Sequence, residues 1–259
     1  MADDLLVIIP TRGRPQAVMQ MVRAWHETGA TADLLFAVDN DDPELDAYKR
    51  EAAKFMKGGQ VRFVFGKRRR LCGTLNAQAV KAARSYRFLA FMGDDHRPRP
   101  AAMPWDARIR ECLSGGPGIV YGNDLLQGEA MATAVAMTSD IVEALGYFSP
   151  PCLVHLCMDL VWVEWGRGMG RITYLPDMVI EHLHPAAGKA ELDRGYEEVN
   201  SEQQVSADTA AYYEYRDGGG LAADLEKLRK LVAYSQGGIL QPGATIATNA
   251  TGAGEEVVA

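Results

Sequence analysis

Phe88-Leu89-Ala90-Phe91-Met92-Gly93-Asp94-Asp95-His96 is an apolar run that stops at a glycine, two carboxylates and an imidazole. A short run with no polar alternation marks a strand buried on both faces, as in a parallel sheet covered by helices. Three earlier segments share the design. Residues 5–9 run into Pro10-Thr11-Arg12-Gly13-Arg14, residues 34–38 into Asp39-Asn40-Asp41-Asp42, and residues 61–65 into Gly66-Lys67-Arg68-Arg69-Arg70. Between the strands, residues 15–28, 43–56 and 73–85 carry helical patterns, the first two opening at Pro15 and Pro43, where a missing N–H costs little. The alternation predicts an α/β fold with a mainly parallel sheet, right-handed crossovers and ligands bound off the carboxyl ends of the strands. Two of the strand-end clusters are cationic and two are rich in carboxylates, which suits a ligand carrying phosphates together with a divalent cation.

Beyond residue 100 the pattern turns mixed. Helices are expected over 103–113, 139–145 and 159–167, and strands over 119–121, 132–137, 171–175 and 178–181, the last ending at His182-Leu183-His184. Polar helical segments follow at 201–215 and 221–234, joined by Asp217-Gly218-Gly219-Gly220. Residues 236–259 are rich in Gly, Ala and Thr without an apolar period and predict a mobile tail. The organisation expected is a domain over 1–185 in two halves (1–99 and 100–185), then a helical extension (186–235) and the tail.

The chain has 259 residues, 47% of them hydrophobic and 24% charged, with a net charge of −7. That balance argues against a general nucleic-acid binder, so any anion site must be local. The acidic start, Met1-Ala2-Asp3-Asp4, lacks the basic character of a signal peptide. No apolar stretch approaches the roughly 18–20 residues of a membrane span, so the expected location is cytoplasmic. Cys72, Cys112, Cys152 and Cys157 have no metal-knuckle spacing and read as buried thiols, and the Asn249 sequon then has no role. No P-loop is present, and Gly166-Arg167-Gly168-Met169-Gly170 follows a helix, which makes it a helix end rather than a dinucleotide fingerprint.

Two carboxylates and an imidazole directly after a buried strand cannot all lose water without cost, and a cation resolves the conflict. Carboxylate oxygens with an added imidazole (His96) favour Mn²⁺ over Ca²⁺; a polar turn is the alternative. His182 and His184 lie two apart at a strand end, so one or both could share a face with that carboxylate edge. Asp159 is either a helix N-cap or a general base for an acceptor hydroxyl. Among the cations of residues 67–70, Arg70 is the expected diphosphate contact, the alternative being a solvated charge run. Asn76 is either a donor-site contact or a surface polar residue, and Tyr212, Tyr213 and Tyr215 either stack on sugars or pack.

Taken in order, these motifs resemble the GT-A glycosyltransferases, in particular the broad family 2 type. Val7-Ile8-Ile9-Pro10-Thr11-Arg12-Gly13-Arg14-Pro15 is similar to that family's first strand and donor loop, and Val38-Asp39-Asn40 to the second strand, whose aspartate contacts the base. Gly73-Thr74-Leu75-Asn76-Ala77 and Phe88 through Asp95 resemble the stretch into the Asp-x-Asp (DXD) region; Met158-Asp159, residues 170–177 and His182 resemble the Glu-Asp helix and closing histidine. Gly93 stands where many members carry the first carboxylate, and Met158 replaces the common glutamate. The resemblance implies a GT-A fold and transfer of a sugar from a nucleoside diphosphate sugar, most often a UDP-sugar, to an acceptor hydroxyl, with Mn²⁺ or Mg²⁺. It implies a donor site of Pro10, Thr11, Arg12, Arg14, Asp39, Arg70, Asn76 and Asp94, with Asp94 toward the ribose. It further implies metal ligands among Asp95, His96, His182 and His184, and Asp159 as the base of an inverting reaction. The alternatives are a sugar nucleotidyltransferase and an inactive nucleotide-sugar or glycan binding module.

Overall fold

The computed structural model describes residues 4–55 and 59–237; the expected tail from 238 onward and Asn249 lie outside the described residues. Strands β1 (Leu5–Thr11), β2 (Asp33–Asp39), β3 (Val61–Gly66) and β4 (Phe88–Phe91) alternate with helices α1 (Pro15–Glu27), α2 (Leu45–Phe55) and α3 (Arg70–Ala82). The second half holds β5 (His96–Pro98), α4 (Trp105–Leu113), β6 (Ile119–Asn123), β7 (Val135–Thr138), α5 (Ser139–Leu145), α6 (Met158–Gly168) and β8 (Ile172–His182). It closes with α7 (Arg194–Val199), α8 (Glu202–Asp217) and α9 (Gly220–Ser235).

The strands form one sheet in the order β3-β2-β1-β4-β7-β6-β8-β5. β1 pairs parallel with β2 and β4, and β2 parallel with β3. β7 runs antiparallel to β4 and β6, so the mixed second half is as expected. Thr11 is level with Val38 and Asp39 with Gly66, which brings the loops after β1, β2 and β3 to one edge.

Alternation along β1 explains its unbroken apolar sequence. Leu5, Val7 and Ile9 enter a layer with Val18, Met21 and Trp25 of α1, whereas Leu6 and Ile8 enter the opposite layer with Cys72 and Leu75 of α3. Each such side chain contributes about 1.5–3 kcal/mol by leaving water, an upper value given residual burial in the unfolded chain. The second layer also takes Trp162 and Trp165 of α6, Tyr212 of α8 and Leu228 of α9. The tryptophan N–H groups are satisfied by Phe148 O and the Tyr215 hydroxyl, both at 2.8 Å.

Three expectations change and one open choice is decided. The strands expected over 171–175 and 178–181 are one strand: pairing of β6 with β8 shifts between Gly122 and Asn123, so the Pro176-Asp177 interruption is a bulge. A Cβ at Gly122 would lie 2.2 Å from Met178 O, which is why glycine stands there. β5 was not foreseen; it pairs antiparallel with β8 and sets His96 opposite His182. Only Cys72 of the four cysteines is buried, Cys152 being exposed. Of the α8 tyrosines, Tyr212 and Tyr215 pack, Tyr212 donating to Glu164 and Tyr215 to Asp224, while Tyr213 is exposed beneath Arg216. Among the described residues no helix is long and apolar enough to cross a membrane.

Candidate functional site

The loop after β1 is fastened to the loop after β4 by a chain of hydrogen bonds. Arg14 N–H donates to the Tyr48 hydroxyl at 2.9 Å, Tyr48 and Thr11 are 2.7 Å apart, and Thr11 donates to Asp94 Oδ2 at 2.7 Å. Since Thr11 gives its proton to Asp94, Tyr48 gives its own to Thr11. The Arg14 guanidinium closes the ring on Asp94 Oδ1 at 3.1 Å. Burial, and then the charge of Asp95, push the Asp94 carboxyl up to about 6. Both Asp94 oxygens are thus engaged in fastening the loops, and Asp94 lines the same cleft as Arg12 and Asp39.

At the β2 end, Asp39 Oδ2 accepts from Arg12 at 3.2 Å, and Arg12 also donates to Asp41 at 2.8 Å. Burial raises the Asp39 carboxyl against the pull of Arg12. Pro10, Arg12, Arg14, Asp39, Arg68 and Arg70 all line a cleft of about 830 Å³, well within the roughly 300–1,000 Å³ of small-molecule sites. Asn76 does not reach it. Its amide donates to Ser149 O and accepts from the backbone N–H groups of Phe148 and Ser149, so it ties α3 to the loop after α5.

One donor atom each from Asp95, His96 and His182 lies within 4.8 Å of the others. Asp95 Oδ2 is 3.5 Å from His182 Nε2, and Asp95 Oδ1 is 3.3 Å from His96 Nδ1. The latter nitrogen already accepts from Gly93 N–H at 3.0 Å, so its lone pair is taken while that bond lasts. The His96 ring stacks on His182 with centroids 4.4 Å apart, and burial keeps it neutral by lowering its pKa. His96 Nε2 and His182 Nδ1 are buried without a hydrogen-bond partner. Burial works to raise the Asp95 carboxyl, but opposing causes led by the His182 imidazole hold it well below the usual range. A charged carboxylate facing an imidazole nitrogen fits a divalent cation, with Asp95 and His182 as ligands and His96 as the ring beneath. His184 stands one ring further out, edge-on to His182 at 5.0 Å.

Gly93 is explained by the same packing. A Cβ there would sit 2.5 Å from Asp95 Oδ1 and 2.8 Å from His96 Nδ1, so His96 occupies the space a side chain at 93 would need.

The acceptor half contributes Asp159, which lines the cleft from the first turn of α6. It is not the N-cap. That position is Cys157, in the left-handed region at φ 66°, a conformation costing about 1–3 kcal/mol in a non-glycine residue. Burial raises the Asp159 carboxyl, opposed mainly by the Leu160 N–H. The loop before α6 is held from outside: Val154 N donates to Asp208 Oδ1, and His155 N and Leu156 N to Oδ2, all within 2.8–2.9 Å. Asp208, on α8, is 1% exposed. Its substitution by alanine strands three N–H groups and is expected to cost on the order of 2–4 kcal/mol in urea denaturation. A change below about 0.5 kcal/mol would mean that water takes over those donors.

Sequence reasoning missed Tyr48, Asp208, His155 and the whole of α7. His155 lines the cleft, and α7 covers it through Tyr196, whose hydroxyl donates to Asp95 Oδ2. The one local signal for α7 was Asp193 three residues before Tyr196, an N-cap whose carboxylate accepts from Tyr196 N at 3.0 Å.

No protein-family model and no curated protein matches the chain. Solved structures do. The mannosyltransferase PcManGT from Pyrobaculum calidifontis, in complex with GDP-Man and Mn²⁺, is similar at TM-score 0.57 and 14% identity, over 93% of this chain and 77% of its own. S. aureus TarS 1–349 in complex with UDP is similar at TM-score 0.54 and 10% identity, over 96% and 95%. GalNAc-T7 with UDP, GalNAc and Mn²⁺ is similar at TM-score 0.60 and 11% identity, over 91% and 55%. The likeness shows that the chain has a GT-A fold with a helical C-terminal portion.

Proposed function

We propose that the chain is a metal-dependent glycosyltransferase that moves a sugar from a nucleoside diphosphate sugar, of the UDP type, to an acceptor hydroxyl. The observation that carries this reading is that Asp39 of β2, Asp95 of the turn between β4 and β5, His182 of β8 and Asp159 of α6 all line one cleft. The two other structures with UDP and the one with GDP-Man support a nucleotide donor on this fold.

In this reading residues 1–99 hold the nucleotide and residues 100–185 the acceptor. Asp39, oriented by Arg12, accepts from the base, and Arg14, Arg68 and Arg70 face the phosphates. A divalent ion, Mn²⁺ or Mg²⁺, held by Asp95 and His182 supplies neutralisation of the departing diphosphate. Phe91 and Trp162 form an apolar floor that keeps water from the reacting carbon. The acceptor oxygen bonds to the anomeric carbon as the bond from that carbon to the diphosphate breaks. The electron pair leaves with UDP, and the acceptor proton passes to Asp159. With Asp159 opposite the diphosphate, the anomeric configuration inverts.

A panel of UDP-, GDP- and dTDP-sugars incubated with and without Mn²⁺ tests the reading. Release of UDP that requires the metal is expected. Release of pyrophosphate would mean a nucleotidyltransferase, and UDP binding with no turnover over a day would mean a binding module.

A further inference from the structure

Arg14, Arg68 and Arg70, which line the cleft, are all in contact with carboxylates of one short segment, besides the contact of Arg14 with Asp94. Arg14 Nε and Nη2 donate to Asp193 at 2.6 and 2.8 Å, a two-pronged contact of the kind guanidinium makes with phosphate. Arg68 donates to Glu198 Oε1 at 2.7 Å, and Arg70 donates to the same oxygen. The hydrogen bond from Arg70 leads the causes that hold Glu198 below the usual carboxylate range, so it is charged. Between the two acids, Tyr196 lies under the Arg14 guanidinium at 4.3 Å and donates to Asp95.

The fit is incomplete. One oxygen of Glu198 serves two guanidinium groups, and Arg68 Nε is buried with no hydrogen-bond partner. A diphosphate offers more acceptor oxygens and more charge than the Asp193 and Glu198 pair. The six-residue α7 is too short to be stable alone, Tyr196 is its buried apolar anchor, and residues 188–192 before it are exposed.

We propose that α7 is an internal ligand of the phosphate subsite: Asp193 and Glu198 stand on Arg14, Arg68 and Arg70 in place of a diphosphate, and the helix leaves when one binds. The inference rests on the reading of the cleft as a nucleoside diphosphate site. It reverses the usual expectation for a residue touching a binding arginine, since removing these acids should strengthen binding.

The test is calorimetric titration of the full chain with UDP and with inorganic pyrophosphate, both with Mn²⁺, for the wild type and the double variant Asp193→Asn/Glu198→Gln. Asparagine keeps the N-cap of α7 and glutamine keeps the side-chain length, so the fold is preserved. The double variant should bind both ligands about threefold or more tightly, in line with half-exposed ion pairs. Amide hydrogen exchange across 193–200 should rise when UDP and Mn²⁺ bind to the wild type. UDP binding that is unchanged or weaker in the variant, or exchange that falls on binding, overturns the inference and leaves the proposed function standing. If neither protein binds UDP or pyrophosphate, both are overturned.

Discussion

Asp159→Asn is expected to leave UDP affinity within about twofold of wild type while lowering sugar transfer by about 10²–10⁴-fold, the range for loss of a general base. The carboxylate lines the cleft from the first turn of α6, and burial lifts its pKa toward working pH. Asparagine keeps the oxygen that accepts from Leu160 N–H at 3.0 Å but cannot take a proton. The comparison to make is kcat against the calorimetric Kd of UDP. If both fall together, Asp159 is holding the start of α6 rather than doing chemistry.

Asp95→Asn should abolish the part of UDP affinity that depends on Mn²⁺, with a loss of about a hundredfold or more in metal binding, since partners one shell further out are already worth 10–100-fold. Both His96 and His182 approach the Asp95 carboxylate, and Tyr196 leans on it as well. Neutralising it leaves two imidazoles and no anionic ligand. Mn²⁺ titration followed by electron paramagnetic resonance, paired with thermal melting, separates this from unfolding. Retention of metal-dependent UDP binding in a folded Asp95→Asn protein would place the ion elsewhere.

What could be read from the sequence follows from what each signal depends on. β1 and β4 are buried on both faces, so their apolar runs are local properties, whereas edge strand β3 buries only Val61; the polar ends of such parallel strands gather at one edge by topology alone. β5 has no such signature. His-Arg-Pro becomes a strand only because β8 pairs with it, and that pairing is what stacks His96 on His182. The buried partners were illegible for the same reason. Asp208 reaches the loop at 154–156 from α8, and Arg14 meets Asp193 across most of the chain, contacts that no spacing rule encodes. Asn76 was misread because a polar residue early in a helix looks alike whether it faces a ligand or, as here, three backbone groups of a neighbouring loop.

The most direct measurement is an anomalous difference map at the manganese edge from a crystal grown with UDP and Mn²⁺. The account predicts a single strong peak in contact with the Asp95 carboxylate, His182 Nε2 and the diphosphate, with the uracil against Asp39. A manganese peak away from Asp95 and His182, or UDP bound with no metal peak beside its phosphates, would contradict it.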